Sequence, residues 1–363
     1  MNAEKRVLAM RRRLAAENVS AIVVSDIVNV AYLTGFEGVF DDEAAHAAVI
    51  TADTAALYTD NRYRDALTHA AEGTTWDVRV PAENLYATLC AELTASGVTG
   101  LALESSVPFG RFRFISEKFE GNVEAVDNWV EELRQFKEPE EIARIEAAQR
   151  LTDRAFDYLV AEVLRAGVTE RAIGLELEFF MRREGSDGVA FSPIVASGPN
   201  SAMPHASASY RALQAGDFVV LDFGARVDGY CADMTRTVVV GAPTDEQRAI
   251  YRAVLDANLA GIAAAKPGMP GKDIDAIARE VIVGAGYGDR FGHGLGHGVG
   301  RAVHELPNVG PRSTKSVLVG NVITIEPGVY IPGFGGVRIE DLAVMEDAGV
   351  RVLTSSTKEL LEV

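Results

Sequence analysis

Cysteine is almost missing from these 363 residues: Cys90 and Cys231 are the only two. They fall in different halves of the chain, so no disulfide framework is indicated and a reducing compartment is expected. Long apolar runs are missing too, and nothing approaches the ~20 residues of a membrane span. Lys5, Arg6, Arg11, Arg12 and Arg13 alternate with Val7, Leu8, Met10 and Leu14 as an amphipathic helix. No apolar segment of a secretory signal follows them, and the expected location is the cytoplasm. Basic excess is the third absence. A net charge of −17 argues against nucleic acid or an anionic membrane as partner, since either needs a basic face.

What is present is ordinary for a globular protein, with 48% apolar and 24% charged residues. The length suits two domains of unequal size. Residues 3–18 read as a helix, 21–25 as a buried strand, and 28–36 lead into a loop with Gly35, Gly38, Asp41 and Asp42. Strands at 47–51 and 55–59, a helix from 63 to about 71, a strand at 76–80, a helix at 84–95 and a strand at 100–104 follow. That alternation predicts a small α/β unit over residues 1–128. His46 and His69 stand alone in it and read as packing or surface residues. Residues 129–138 link it to a second domain over 139–363, where Pro139 with Glu140 and Glu141 opens a long helix. A second helix from about 169 to 184, strands, helices at 244–265 and 271–285, and further strands predict a pseudo-duplicated α+β domain.

The chemistry-bearing residues lie in this second domain. Val219–Val240 holds two β-branched runs around Asp228-Gly229, the pattern of a hairpin. Asp222 and Asp233 sit inside those runs, eleven residues apart. Antiparallel pairing sets them on one face, directly opposite or a diagonal step apart. Like charges that close cannot both stay ionised without a cation between them. Taken singly, an aspartate near a turn also reads as a turn former. Glu326 and Glu340 repeat the arrangement, following apolar runs on either side of a Gly- and Pro-rich turn at an even separation. Cys231, beside Asp233, reads as packing rather than as a ligand.

His293, His297 and His304 crowd into a glycine-rich stretch, where missing side chains let backbone, metal and substrate approach. Four carboxylates match the charge of two divalent cations, with one neutral imidazole to complete the set. Such oxygen-rich donors suit Mn²⁺ or Co²⁺, or else Fe²⁺ or Zn²⁺, rather than a thiolate site. Paired metals roughly 3.5–4 Å apart activate water and polarise a carbonyl, which is hydrolytic chemistry.

The motifs that carry these residues are Ile194-Val195-Ala196-Ser197-Gly198 with Pro204-His205, Leu221-Asp222-Phe223-Gly224, and Asp233-Met234-Thr235-Arg236-Thr237. They continue with the segment from His293 to Pro307, Ile325-Glu326-Pro327-Gly328, and Val337-Arg338-Ile339-Glu340-Asp341. In them the chain resembles the pita-bread metallopeptidases, in the Xaa-Pro dipeptidase (prolidase) and Xaa-Pro aminopeptidase (aminopeptidase P) branch. The resemblance implies an α+β pita-bread catalytic domain preceded by a smaller α/β creatinase-type domain. It implies that Asp222, Asp233, His297, Glu326 and Glu340 bind two metals, that Glu326 is also the general base, and that His205 and His304 stabilise the intermediate and move protons. His293 would line a proline pocket, and Arg338 would steer a substrate carboxylate or hold an acid. Thr235 shares the parity of Asp233 and would support it. The substrate implied is a proline-containing dipeptide or oligopeptide, and the expected assembly is a homodimer. One departure is Ala206, where many relatives carry Gly. Other readings are a non-catalytic binding protein of this fold and a metal-free creatinase-like amidinohydrolase, both of which the complete ligand set disfavours. A methionine aminopeptidase shares the ligands but usually lacks the first domain.

Overall fold

The computed structural model describes residues 3–41, 43 and 45–363, and Asp42 of the expected loop lies outside the described residues. The chain divides into two compact units, one ending at Arg134 and the other running from Gln135 to Val363. In the first, β1 (Ala21–Val24), β2 (Ala47–Thr51), β3 (Ala55–Tyr58), β4 (Asp77–Arg79), β5 (Gly100–Glu104) and β6 (Asn122–Val126) form one sheet in the order β4-β3-β2-β1-β5-β6. Strand periodicity sorts its two faces: Ile22, Val24, Ile50 and Leu57 enter one core, and Val23, Val49, Leu101 and Leu103 enter the other. Helices α1 (Ala3–Glu17), α2 (Ile27–Thr34), α3 (Arg64–Ala71), α4 (Leu85–Ala95), α5 (Phe109–Lys118) and α6 (Glu131–Arg134) complete it.

Sequence pattern did not place α2 as a helix, because Ile27, Val28, Val30 and Thr34 favour strands. Its ends override that preference. The Asp26 side chain accepts from the amides of Val28 and Asn29, and Gly35 closes the helix at φ 70°. His46 is buried against Thr59, whose hydroxyl lies 3.0 Å from its Nδ1.

In the second unit α7 (Pro139–Tyr158) starts on a capping box between Glu138 and Glu141, and α8 (Glu170–Arg183) starts on Thr169. Strands β7 (Gly188–Val189), β8 (Ile194–Ser197), β9 (Phe218–Phe223), β10 (Ala225–Val227), β11 (Tyr230–Cys231) and β12 (Met234–Val239) build two three-stranded sheets, β12-β9-β8 and β11-β10-β7. Asp228 and Gly229 take φ of 48° and 75°, as a primed hairpin turn requires. Helices α9 (Asp245–Ala264) and α10 (Gly271–Gly284) precede the second half. There β13 (Gly296–Gly298), β14 (Glu305–Val309), β15 (Val322–Ile325), β16 (Gly328–Ile331), β17 (Gly335–Arg338), β18 (Asp341–Glu346) and β19 (Gly349–Val352) form a five-stranded sheet, β14-β13-β15-β18-β19, and the ribbon β16-β17. Each half thus has a helix pair, an antiparallel sheet and its own apolar core. Among the described residues no helix is long and apolar enough to cross a membrane.

Candidate metal centre

Asp222 on β9 pairs with Thr235 on β12, and the register carried past the end of β12 sets Asp233 opposite Gly224. The two aspartates therefore stand one diagonal step apart on a common face. A side chain at Gly224 would put its Cβ 1.8 Å from the Ala232 carbonyl oxygen, so only glycine fits opposite Asp233. In the other hairpin Ile325 pairs with Asp341 and Gly328 with Arg338. Glu326 and Glu340 consequently face each other where the ladder is interrupted. Asn258, buried on α9, donates from Nδ2 to the carbonyls of Ile325 and Ile339 at 2.9 and 3.4 Å, tying together the residues that precede the two glutamates.

His297 is carried on β13 between two glycines that pack against neighbouring backbone. A Cβ would lie 2.1 Å from the Thr324 carbonyl oxygen at Gly296 and 2.2 Å from that of Leu306 at Gly298. The ring Nδ1 is 3.1 Å from the Gly298 carbonyl, which fixes a proton there and aims Nε2 at the acids. Nε2 lies 3.3 Å from Glu326 Oε1 and 3.6 Å from Asp233 Oδ2. Single ligand atoms of Asp233, His297 and Glu340 all fall within 4.8 Å of one another.

These residues fit hard divalent cations. The donors are carboxylate oxygens and one oriented imidazole, and Asp222 Oδ1 is buried with no hydrogen-bond partner among the described residues. Burial and then the neighbouring carboxylates push Asp233 and Glu340 well above the ordinary carboxylate range. Burial acts upward on Glu326 too, but the bond from His297 holds it down at about 2. So dry a cluster of acids stays fully ionised only when cations neutralise it.

Arg338 is buried and its guanidinium is engaged inside the protein. It donates from Nε to Thr235 Oγ1 at 3.0 Å, from Nη1 to Tyr330 Oη at 2.8 Å and the Pro204 carbonyl at 3.3 Å, and from Nη2 to Asp222 Oδ2 at 2.5 Å. Thr235 in turn donates to Glu340 Oε2 at 2.7 Å. His293 sits 2.9 Å from Tyr330 Oη through Nε2 and 2.8 Å from the Gly294 carbonyl through Nδ1, and burial lowers its pKa. His205 and His304 are open to solvent. The His304 ring stands edge-on to His297 with centroids 4.3 Å apart, and partial burial followed by the His297 charge lowers its pKa. Cys231 is buried in packing.

Sequence reasoning missed Asn258, Thr324 and Tyr330. Thr324 donates from Oγ1 to Glu326 Oε1 at 3.1 Å and accepts from the His297 amide at 3.1 Å. Its even spacing from Glu326 on a strand was the available signal. Tyr330 and Asn258 gave none, because each reads as an ordinary strand or helix residue until the neighbouring elements are in place.

Comparison with known proteins agrees with this architecture. Residues 143–347 match the metallopeptidase family M24 and residues 6–136 the creatinase/prolidase N-terminal domain. The chain belongs to metallopeptidase family M24, and it is an enzyme with the creatinase-type domain and α+β catalytic domain expected from its motifs. Among relatives, the Xaa-Pro dipeptidase of Pyrococcus horikoshii is 36% identical over 95% of both chains. The structure of an Xaa-Pro dipeptidase from Bacillus anthracis superposes with a TM-score of 0.94 at 35% identity, over 100% of both chains. That of an X-Pro aminopeptidase from Thermotoga maritima gives 0.85 at 37% identity, over 95% of this chain and 98% of the other.

Proposed function

We propose that this enzyme hydrolyses the peptide bond preceding proline in Xaa-Pro dipeptides, with two divalent cations, Mn²⁺ foremost, held by Asp222, Asp233, His297, Glu326 and Glu340. The observation that carries the reading is the convergence of three buried carboxylates and a fourth, half-buried one around one oriented imidazole. When bound there, the cations supply Lewis-acid polarisation and neutralise the acids. The chain's own residues do the rest. Glu326, which accepts from Thr324 and lies 3.3 Å from His297 Nε2, takes the proton of the attacking water. His304, kept neutral by its surroundings, and His205 donate hydrogen bonds to the developing oxyanion and pass the proton on. Water adds to the Xaa carbonyl carbon, the C–N bond breaks, and the proline nitrogen leaves with the proton as a free amino acid. The X–Pro bond lacks an N–H, so recognition rests on the ring's shape. With its nitrogens engaged by Tyr330 and Gly294, His293 offers the proline ring a carbon face. Arg338 is assigned to holding Asp222, in keeping with its internal partners.

The likeness to the Thermotoga maritima enzyme supports a second reading, release of the N-terminal residue from longer Xaa-Pro peptides as in aminopeptidase P. Assays with Mn²⁺ or Co²⁺ on an X-Pro dipeptide and an X-Pro-Y-Z peptide separate the two. Cleavage confined to the dipeptide supports the first reading, cleavage of the longer peptide supports the second, and cleavage of neither overturns both. We place the enzyme in the cytoplasm as a homodimer. Its two cysteines are free thiols, and Leu175 and Phe179, one turn apart on α8, expose apolar surface to a second copy. Sedimentation at a monomer mass would refute the dimer.

A further inference from the structure

Glu170, the first residue of α8, is fully buried, and its carboxylate collects donors from both ends of one loop. Oε1 accepts from the Ser197 amide at 2.7 Å, from its hydroxyl at 2.7 Å and from Asn200 Nδ2 at 3.0 Å. Oε2 accepts from the Ser209 amide at 3.0 Å, its hydroxyl at 2.5 Å and Asn200 Nδ2 at 3.2 Å. Burial alone would raise this acid, yet the bonds from Ser209 and Ser197 bring it below the ordinary range. The foot at Ser197 is held a second time by Arg211, which donates to Ser197 Oγ at 2.6 Å and pairs with Asp217.

Between those feet lies His205. Among the described residues none hydrogen-bonds its ring, so its place over the site is set by backbone. Among the described residues the crown of the loop, packed on the catalytic strands, is hydrogen-bonded to them at two points. The Gly336 amide donates to Ser201 Oγ at 2.8 Å, and Arg338, which also holds Asp222, donates to the Pro204 carbonyl at 3.3 Å. Backbone also holds the feet, Ser197 in the β8–β9 ladder and Ser209 through its carbonyl to the Arg171 amide at 2.9 Å, but the Glu170 carboxylate accepts from both of them at once.

We propose that Glu170 is the positioning residue for His205, fixing both feet of the loop that presents this histidine to the substrate. The proposal rests on the reading of His205 as a substrate-side group. Glu170→Gln is nearly isosteric but turns an N–H toward one foot, where amide and hydroxyl donors already point. The bonds to that foot are weakened while those to the other persist, and the loop shifts on its remaining backbone ties. An ångström of misplacement of such a group is worth up to about 100-fold in rate.

The test is a double-mutant cycle on the intact, Mn²⁺-loaded enzyme with an X-Pro dipeptide, alongside calorimetric titration of Mn²⁺. Glu170→Gln is expected to lower kcat by about 10- to 100-fold with KM within about threefold and Mn²⁺ binding unchanged. In a His205→Ala background the same substitution is expected to change kcat by less than about twofold, because both act through one group. An equal loss in both backgrounds would mean that Glu170 serves the fold at large and would overturn the proposal, as would a Glu170→Gln enzyme at the wild-type rate. A His205→Ala enzyme at the wild-type rate would also overturn it, and would locate the failure in the role given to His205. If Glu170→Gln does not fold, Asn200→Ala, which removes one donor to each carboxylate oxygen, enters the same cycle with the same expectation at smaller amplitude.

Discussion

The two units both bury carboxylates, and they answer the charge differently. In the first, Glu104 at the end of β5 accepts from the amides of Ser25 and Asp26 at 2.7 and 2.9 Å and from Asn29 Nδ2 at 2.7 Å. Its hydrogen bonds come from neutral dipoles, and burial, with the nearby Asp26 charge adding to it, still pushes its pKa up to about 7. In the second unit Glu305 is answered by a chain cation, the Lys137 ammonium at 2.6 Å, and Asp341 by Arg236 and Lys358 at 2.8 and 2.7 Å. Asp222, Asp233, Glu326 and Glu340 share one arginine and one histidine among four acids. A buried acid answered within the chain is architecture, and a surplus of them is a request for something from outside the chain.

The sharpest way to break that contrast is Asp233→Asn. It is expected to reduce turnover to background and to remove the stabilisation that Mn²⁺ confers. At 100 times its dissociation constant that stabilisation is about 2.7 kcal/mol, or roughly 3–4 °C in a chain of this size. Calorimetric scans with and without Mn²⁺ check it, and an unchanged metal-dependent shift would remove Asp233 from the ligand set. Next in size is Lys137→Met, which strips Glu305 of its buried ammonium without touching a proposed metal ligand. A loss of about 3–5 kcal/mol in urea-unfolding free energy is expected. A loss below about 1 kcal/mol would show that this pair belongs with surface ion pairs.

What could be read from the sequence was whatever depends on periodicity and local spacing. Parity alone put Asp222 with Asp233 and Glu326 with Glu340 on shared faces, because strand geometry leaves a side chain only two choices. The glycines around His297 announced close backbone approach. The supports stayed hidden for a physical reason: Asn258, Glu170 and Tyr330 act on residues 67, 39 and 8 positions away. Nothing in their own segments distinguishes them from core or capping residues. Helix α2 was hidden because capping by Asp26 and Gly35 outweighs the strand preference of its interior.

Glu104 tests the donor-answered half of the contrast. Its folded pKa lies above that of an exposed glutamate, so the folded state holds the proton more tightly. Stability from this group is complete below about pH 4.5, declines as pH rises toward about 7, and is flat beyond. Glu104→Gln lacks that titration. Its unfolding free energy relative to wild type is therefore expected to rise by roughly 3 kcal/mol between pH 4.5 and 7.5, over a constant penalty for turning an amide N–H toward donors. A pH-independent difference in paired urea titrations would mean that the three N–H groups keep Glu104 ionised throughout.

The smallest effect comes from the place where both strategies meet. Thr235 donates to Glu340 Oε2 and accepts from Arg338 Nε, so it contributes dipoles to the cluster that needs cations. Thr235→Val keeps the β-branched shape in the strand and removes only the hydroxyl. A cost of about 1–2 kcal/mol in stability is expected, and about 10-fold weaker Mn²⁺ binding, since Glu340 loses the group that orients it. Isothermal titration distinguishes the outcomes. If affinity falls while both sites still fill, dipoles tune a site that cations neutralise. If one site no longer fills, the hydroxyl is part of what makes Glu340 a ligand at all, and the line between the two strategies runs inside the metal centre.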